Sequence, residues 1–394
     1  MSKKKRIILI ISLSLVIVSI VSFFMFTRLG KMYRDITILM STGKKINMEG
    51  NFQELEGIEG ELKNYDVYLT GEAHGTELSY KMQQYMARYF IEEQGVRYIL
   101  LEAPVSEGEL LNVYLETGDT EILKNVLNKF EGSYAYNQDT YDLYEFYYDY
   151  NKKLPEDKKI MFVGIDVEHS LLLTADYFKY LIKDLGESDE KIKDMVERIK
   201  KFNNYNDALF FNDLNQSVVD NEKEYEEYLG KNYFSFKIAV RNVYMTIQGK
   251  ERDATMAINF QDFYEKLPKG KYFGQFGGAH VCKLIRTEDT FGKDPISTFA
   301  NSINNNYEPL KGSIYSIIYI YMNSYNSLSG KEDDSMSSIN TPYISSSGSV
   351  RLYTPISDKK VFKILKYYGL KQEDVGDAFF LIKDSKASPK FYGE

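Results

Sequence analysis

DVYLTGEAHGTE, Asp66 to Glu77, joins a short apolar run to an acid and a histidine set between glycines. Val67 to Thr70 reads as a buried strand. Glu77 to Gln94 carries polar and aromatic residues at helical spacing, and Gly95 supplies a C-terminal stop. Glu72 and His74 therefore stand where a strand ends and a helix is about to begin. In open α/β sheets, ligands gather at that end of the strands. Gly71 and Gly75 permit the tight turn between the two elements.

The same pattern recurs along the chain. Val96 to Leu101 is a second strand, ending in Glu102-Ala103-Pro104. The strand-helix-strand unit implies a parallel pair with a right-handed crossover. Residues 106–128 and Asp139 to Leu154 have helical periodicity. Lys159 to Ile165 is a third strand, and Asp166, Val167, Glu168 and His169 follow it. Residues 171–267 are helical and often highly charged, and read as a helical cap over the strand ends. Lys271 to Phe276 is a fourth strand and leads into Gly277, Gly278, Ala279 and His280. Gly312 to Met322 is an Ile/Tyr strand, 324–350 a Ser/Asn/Gly-rich loop, Val361 to Tyr368 a helix and Ala378 to Lys383 a last strand. The alternation predicts an α/β fold over residues 61–394. Its central sheet is mostly parallel and flanked by helices, with the helical cap inserted at about 171–267.

Ahead of this domain, Ile7 to Phe26 is an uncharged run of 20 residues. At a rise of about 1.5 Å per residue it spans roughly 30 Å, one hydrocarbon core. The exit, Thr27-Arg28-Leu29-Gly30, lacks a small-residue cleavage site. Residues 1–30 thus read as a basic cytoplasmic tip and an uncleaved transmembrane signal anchor. Residues 31–60 read as a juxtamembrane linker. Lys3 to Arg6 favour a cytoplasmic N-terminus, which places the body outside the cytoplasm at the cell membrane as a single-pass protein.

The net charge is -8, and the seven cationic residues among the first 34 leave about fifteen net negative charges on the rest. Such an acidic body argues against nucleic acid as a partner. Cys282 is the one cysteine, so no intrachain disulfide forms. No activating base is evident for it from spacing.

Histidine is the informative residue. There are 3, and His74, His169 and His280 each follow an apolar strand, as Glu102 and Asp166 do. Parallel strands bring such positions to one rim. A histidine oriented by a carboxylate is a general base for water, and an arginine stabilises an oxyanion. Neither a G-x-S-x-G elbow nor an H-E-x-x-H zinc motif is present. Water attack on an ester-like carbonyl fits this set better than a serine mechanism.

GEAHGTE, YILLEAP, VGID, RDATMAIN and GGAH, in that order, resemble the erythromycin esterase family, over roughly residues 60–385. They also resemble its wider superfamily, which includes Tiki-type proteases and ChaN-like haem-binding lipoproteins. The resemblance implies that His74 is the base that activates water. It also implies roles for Glu72, Glu102, Arg252 and His280 in catalysis. Two departures stand out. The family commonly has two residues between its first Glu and His, where this chain has only Ala73. The arginine or lysine often found in the family's first helix is matched less clearly here, by Lys81. A membrane anchor is also atypical of the antibiotic-inactivating members.

The expectation is a membrane-anchored hydrolase that cleaves a small-molecule ester or lactone without a cofactor. Its catalytic set is His74, Glu72, Glu102, His280 and Arg252. Asp166, His169, Asn259 and Lys81 are the candidate substrate contacts. Two alternatives stand beside it. One is a metal-dependent hydrolase or peptidase of the Tiki kind, in which the histidines with Glu72, Glu102, Asp166 and Glu168 ligate a divalent ion. The other is a non-catalytic surface binding domain on the same fold.

Overall fold

Ile314–Met322 is buried at every position and lies inside the main sheet. Such a near-continuous apolar run, interrupted only by Ser316, marks a strand covered on both faces. In the computed structural model this sheet has eight strands, which we number β1 (Lys44–Lys45), β2 (Val67–Glu72), β3 (Val96–Pro104), β4 (Met161–Asp166), β5 (Lys271–Gly277), β6 (Ile314–Met322), β7 (Ser349–Tyr353) and β8 (Ala378–Lys383). The structure describes residues 3–392 except 57, 59–61, 204–206, 284, 287–295, 329–331, 334–347 and 354–374. The expected helix at Val361 to Tyr368 and most of the 324–350 loop lie outside the described residues.

The strand order is β1-β7-β8-β6-β2-β5-β3-β4. From β8 to β4 all neighbours are parallel, and β7 and β1 add an antiparallel edge. The fold is thus α/β with a mostly parallel central sheet. The edge strands β1 and β7 are additions to the sequence reading. The 31–60 segment contributes β1 and also buries Leu39, Ile46, Leu55 and Ile58.

The helices are α1 (Lys3–Phe26), α2 (Arg28–Thr42), α3 (Glu77–Gln94), α4 (Val105–Thr117), α5 (Thr120–Asn128), α6 (Gln138–Lys153), α7 (Leu171–Ile182), α8 (Lys193–Lys201), α9 (Ala208–Asp220), α10 (Glu222–Leu229), α11 (Tyr233–Ile247), α12 (Arg252–Lys266) and α13 (Phe299–Asn306). Helix α3 packs on β3 and β5, α4 on β3 and β4, and α12 on β4. The helical stretch expected at 106–128 is divided into α4 and α5, because Asp119 caps a new start by accepting the Glu121 N–H at 3.0 Å.

Strand β5 lies between β2 and β3, so the chain returns to the middle of the sheet after building its β4 edge. The carboxyl ends of β2, β5, β3 and β4 therefore stand side by side. Strand β3 has an irregular register between Leu101 and Pro104 against β4. Such a bulge re-aims a side chain, and Glu102 sits within it. Gly164 makes it possible, since a Cβ there would lie 2.1 Å from the Pro104 carbonyl oxygen.

Among the described residues, one helix, spanning Lys4–Phe23 with a mean hydropathy of 2.6, is long and apolar enough to cross a membrane. A signal sequence near an N-terminus has the same character.

Candidate functional site

Glu72 is the last residue of β2, and His74 lies two residues beyond it. The His74 Nδ1–H donates to Glu72 Oε1 over 2.5 Å. That leaves Nε2 toward the end of β5, where a Cβ on Gly277 would come within 3.0 Å of it. Any side chain at 277 would thus crowd the imidazole.

Glu102 bridges to the neighbouring elements. Its Oε2 accepts the Gly277 N–H at 2.6 Å, and its Oε1 accepts from Arg252 Nη2 at 2.7 Å. Arg252 opens α12 and also binds Asp166 at the end of β4. Its Nε donates to Asp166 Oδ1 at 2.9 Å, and Nη2 donates to Asp166 Oδ2. Arg252 Nη1 lies 3.2 Å from His280 Nε2. A guanidinium only donates, so Nε2 accepts and the His280 proton sits on Nδ1. That proton is donated to Asp253 Oδ1 at 2.7 Å. Asp253 Oδ1 also accepts the Phe299 N–H.

The rim opens on a cavity of about 550 Å³ lined by Glu72, His74, Glu102, Asp166, His169 and Arg252, among others. Its opposite wall comes from α5, the turn after it and α6, with Leu127, Phe130, Tyr134, Leu143 and Tyr144. Of the described residues in 171–267, Arg252 alone lines it. His280 is not on the cavity wall; its Nε2 lies 3.2 Å from Arg252 Nη1 and 3.4 Å from Glu102 Oε1. Asn259 and Lys81, expected to touch substrate, do not line the cavity. Asn259 is fully buried, donating to the Ile165 carbonyl and accepting from Arg241. Lys81 pairs with Glu77 one helical turn away, at 2.5 Å.

Charge is distributed unevenly around the rim. Glu72 raises the His74 pKa to about 10, and burial opposes this only in part. His74 is therefore mostly imidazolium at neutral pH. Burial works to raise the Glu102 pKa, but His74, His280, Arg252 and the Gly277 N–H together hold it down to about 2. Burial pushes His169 the other way, to a lowered pKa. Its Nδ1–H donates to the Val167 carbonyl at 3.1 Å, leaving Nε2 as an acceptor.

Two further acids belong to the site's surroundings: Glu168, named above only as a candidate metal ligand, and Glu107, which no motif flagged. Glu107 lies in the cavity wall and Glu168 behind it. Burial and mutual repulsion raise Glu107 to about 8, and burial raises Glu168 to about 7. Glu168 is satisfied by Ser106 and Thr174. One signal was legible, since Glu107 shares helical spacing with the buried Leu110, Leu111 and Tyr114. Raised acids bind protons more tightly folded than unfolded. Their contribution is complete below about 4.5 and lost as pH rises through 7 and 8. We expect the urea midpoint to fall over that range. Glu107→Gln should flatten the fall and be more stable than wild type at pH 9, by a few kcal/mol at most. Parallel wild-type and variant curves would show that Glu107 ionises freely in the folded state.

Among the described residues, no group of three or more His, Cys, Asp or Glu side chains is arranged to hold a metal ion. Between Glu102 and Asp166, the place a cation would take is filled by the Arg252 guanidinium.

Compared with known families, residues 91–272 match one described as erythromycin esterase. The match covers a little under half of the chain. The match takes in Glu102, Asp166 and Arg252, while Glu72, His74 and His280 lie outside it. Solved structures extend the likeness of this erythromycin esterase-like chain to the whole fold. A Bacillus cereus protein aligns over 91% of this chain and 99% of its own, at 15% identity and a TM-score of 0.66. A succinoglycan biosynthesis protein aligns over 91% and 98%, at 15% identity and a TM-score of 0.65. A mutant of the erythromycin esterase EreC in its open conformation aligns over 87% and 96%, at 13% identity and a TM-score of 0.58. At these identities the likeness is one of fold. No curated protein sequence matches the chain significantly.

Proposed function

We propose that this protein is a hydrolase that cleaves an ester or lactone with water activated at His74, without a metal. The observation that carries the reading is the Glu72–His74 pair at the cavity rim, with Nδ1 engaged by Glu72 and His74 among the residues that line the cavity. In the reaction, the water oxygen bonds to the carbonyl carbon as its proton passes to His74 Nε2. The tetrahedral intermediate then breaks its carbon–oxygen bond, and the leaving alkoxide takes the proton from His74. Glu72 orients the ring and stabilises the imidazolium formed. Arg252 holds Glu102 and Asp166 in place. Among the described residues, four of its five N–H groups are engaged, leaving one on Nη1 for substrate oxygen.

The test is a panel of aryl and alkyl esters and lactones, assayed with and without chelator. Turnover that survives chelation supports the proposal, and turnover lost to chelation supports the metal-dependent alternative. A protein that binds but never turns over an ester is a binding domain.

The apolar N-terminal helix supports a membrane anchor. Leu9, Ile10, Ile11, Leu13, Leu15 and Val16 are each more than half exposed, which an apolar helix tolerates in lipid and not in water. With the basic flank on the cytoplasmic side, the hydrolase body lies outside. Protease added to intact spheroplasts is expected to digest the body. Full protection, or a mature N-terminus beyond Phe26, would overturn this topology.

A further inference from the structure

The donors that face the cavity decide which atoms of a substrate are held. Tyr80, on α3, lines the cavity with Glu72 and His74. Its hydroxyl oxygen accepts two hydrogen bonds, from Asn137 Nδ2 at 2.9 Å and from Thr140 Oγ1 at 2.9 Å. The direction of the first is fixed by the surroundings. Asn137 is fully buried and caps α6, its Oδ1 taking the Thr140 N–H at 2.9 Å. Its Nδ2 also donates to the Tyr134 carbonyl at 2.6 Å. The amide therefore cannot turn over without losing both contacts. Thr140 Oγ1 has one proton, and it goes to Tyr80.

A phenol oxygen has acceptor capacity for these two bonds and one proton to give. With its acceptor sites filled from the α6 side, the Tyr80 proton has the cavity left to it. Among the described residues no acceptor takes it. Burial, then the nearby Glu72 charge, raises the phenol's pKa, so the proton is held at any working pH. Arg252, by contrast, is nearly spent on Glu102, Asp166 and His280.

We propose that Tyr80 is a fixed hydrogen-bond donor to the substrate oxygen that gains charge during reaction, so that the site binds a carbonyl or tetrahedral oxygen from its α3 side. This rests on the hydrolase reading above. Tyr80 transfers no proton in the step; it stabilises the oxygen while water adds and the alkoxide leaves. A donor preorganised by its neighbours costs little reorganisation as charge develops, the condition under which such groups act most strongly.

Tyr80→Phe removes the hydroxyl and leaves the ring. On an ester turned over by the wild type, kcat is expected to fall about 100-fold, the usual scale for one such donor. KM should change much less, and the thermal midpoint should stay near wild type. Thr140→Val removes one of the two bonds that aim the proton and is expected to give a smaller loss. A second readout does not depend on turnover. Calorimetric binding of a phosphonate monoester, which presents a tetrahedral oxyanion, should weaken at least 10-fold in Tyr80→Phe. Phosphonate affinity that depends on Tyr80 in a protein that hydrolyses no ester would retire the hydrolase reading and keep the donor. Unchanged kcat in Tyr80→Phe, equal phosphonate binding by both proteins, or no phosphonate binding by either, would each overturn the assignment of Tyr80.

Discussion

His74→Asn is expected to lower ester turnover by about 100-fold or more, the usual scale for removing a general base. Asparagine keeps a polar side chain of similar reach and removes the proton acceptor. The pH profile identifies the group more sharply than the rate. With His74 raised to about 10 by Glu72, only roughly one ring in a thousand is neutral at pH 7. The wild-type kcat/KM should therefore climb steadily from neutral toward alkaline pH, and His74→Asn should lose that climb. A limb at or below about 6.5 would instead point to His169, whose pKa is lowered and whose Nε2 remains an acceptor. Full turnover in His74→Asn would remove the residue from the mechanism. Stability should change little at high pH. The ion pair contributes fully below 6.5 and is lost as pH rises through about 10. Solvent screens it too, because the ring is 43% exposed.

Arg252→Met has the second large effect. It leaves Asp166, which is fully buried, and Glu102, which is largely so, without their shared cation. Breaking such a pair costs on the order of 3 kcal/mol, the low end of the usual range, because Arg252 itself is 43% exposed. The pH dependence has a definite sign. Arg252 helps hold Glu102 at about 2 against an ordinary 4.5, so its stabilisation is present above 4.5 and fades as pH falls toward 2. The stability gap between wild type and variant should close over that interval in urea titrations. Arg252→Lys keeps the charge but lacks the planar fork that reaches Asp166, Glu102 and His280 at once. It is expected to recover part of the stability and little of the activity. An Arg252→Met protein as stable as wild type at pH 7 would show that the carboxylates are satisfied without the guanidinium.

The sequence by itself carried the strand-to-helix alternation and, through it, the rim. Glu72, Glu102, Asp166 and His280 were legible because each follows an apolar run, and β2, β5, β3 and β4 set their ends side by side. Periodicity reports which residues share a face, and it does so locally. It carries no information on how far one element's side chains reach toward another. That is why His280, expected in the catalytic set, is found off the cavity wall beside Arg252, and why Asn259 and Lys81 were placed in a cavity they do not line. It is also why residues 126–144, and not most of 171–267, form the wall opposite the sheet. Tyr80 shows the limit most clearly. A tyrosine in an amphipathic helix reads as core filling. Its hydroxyl becomes a directed donor only because Asn137 and Thr140, some sixty residues away, fill its acceptor sites. The direction of a hydrogen bond depends on every group within about 3 Å of it, and only the tertiary structure brings those groups together.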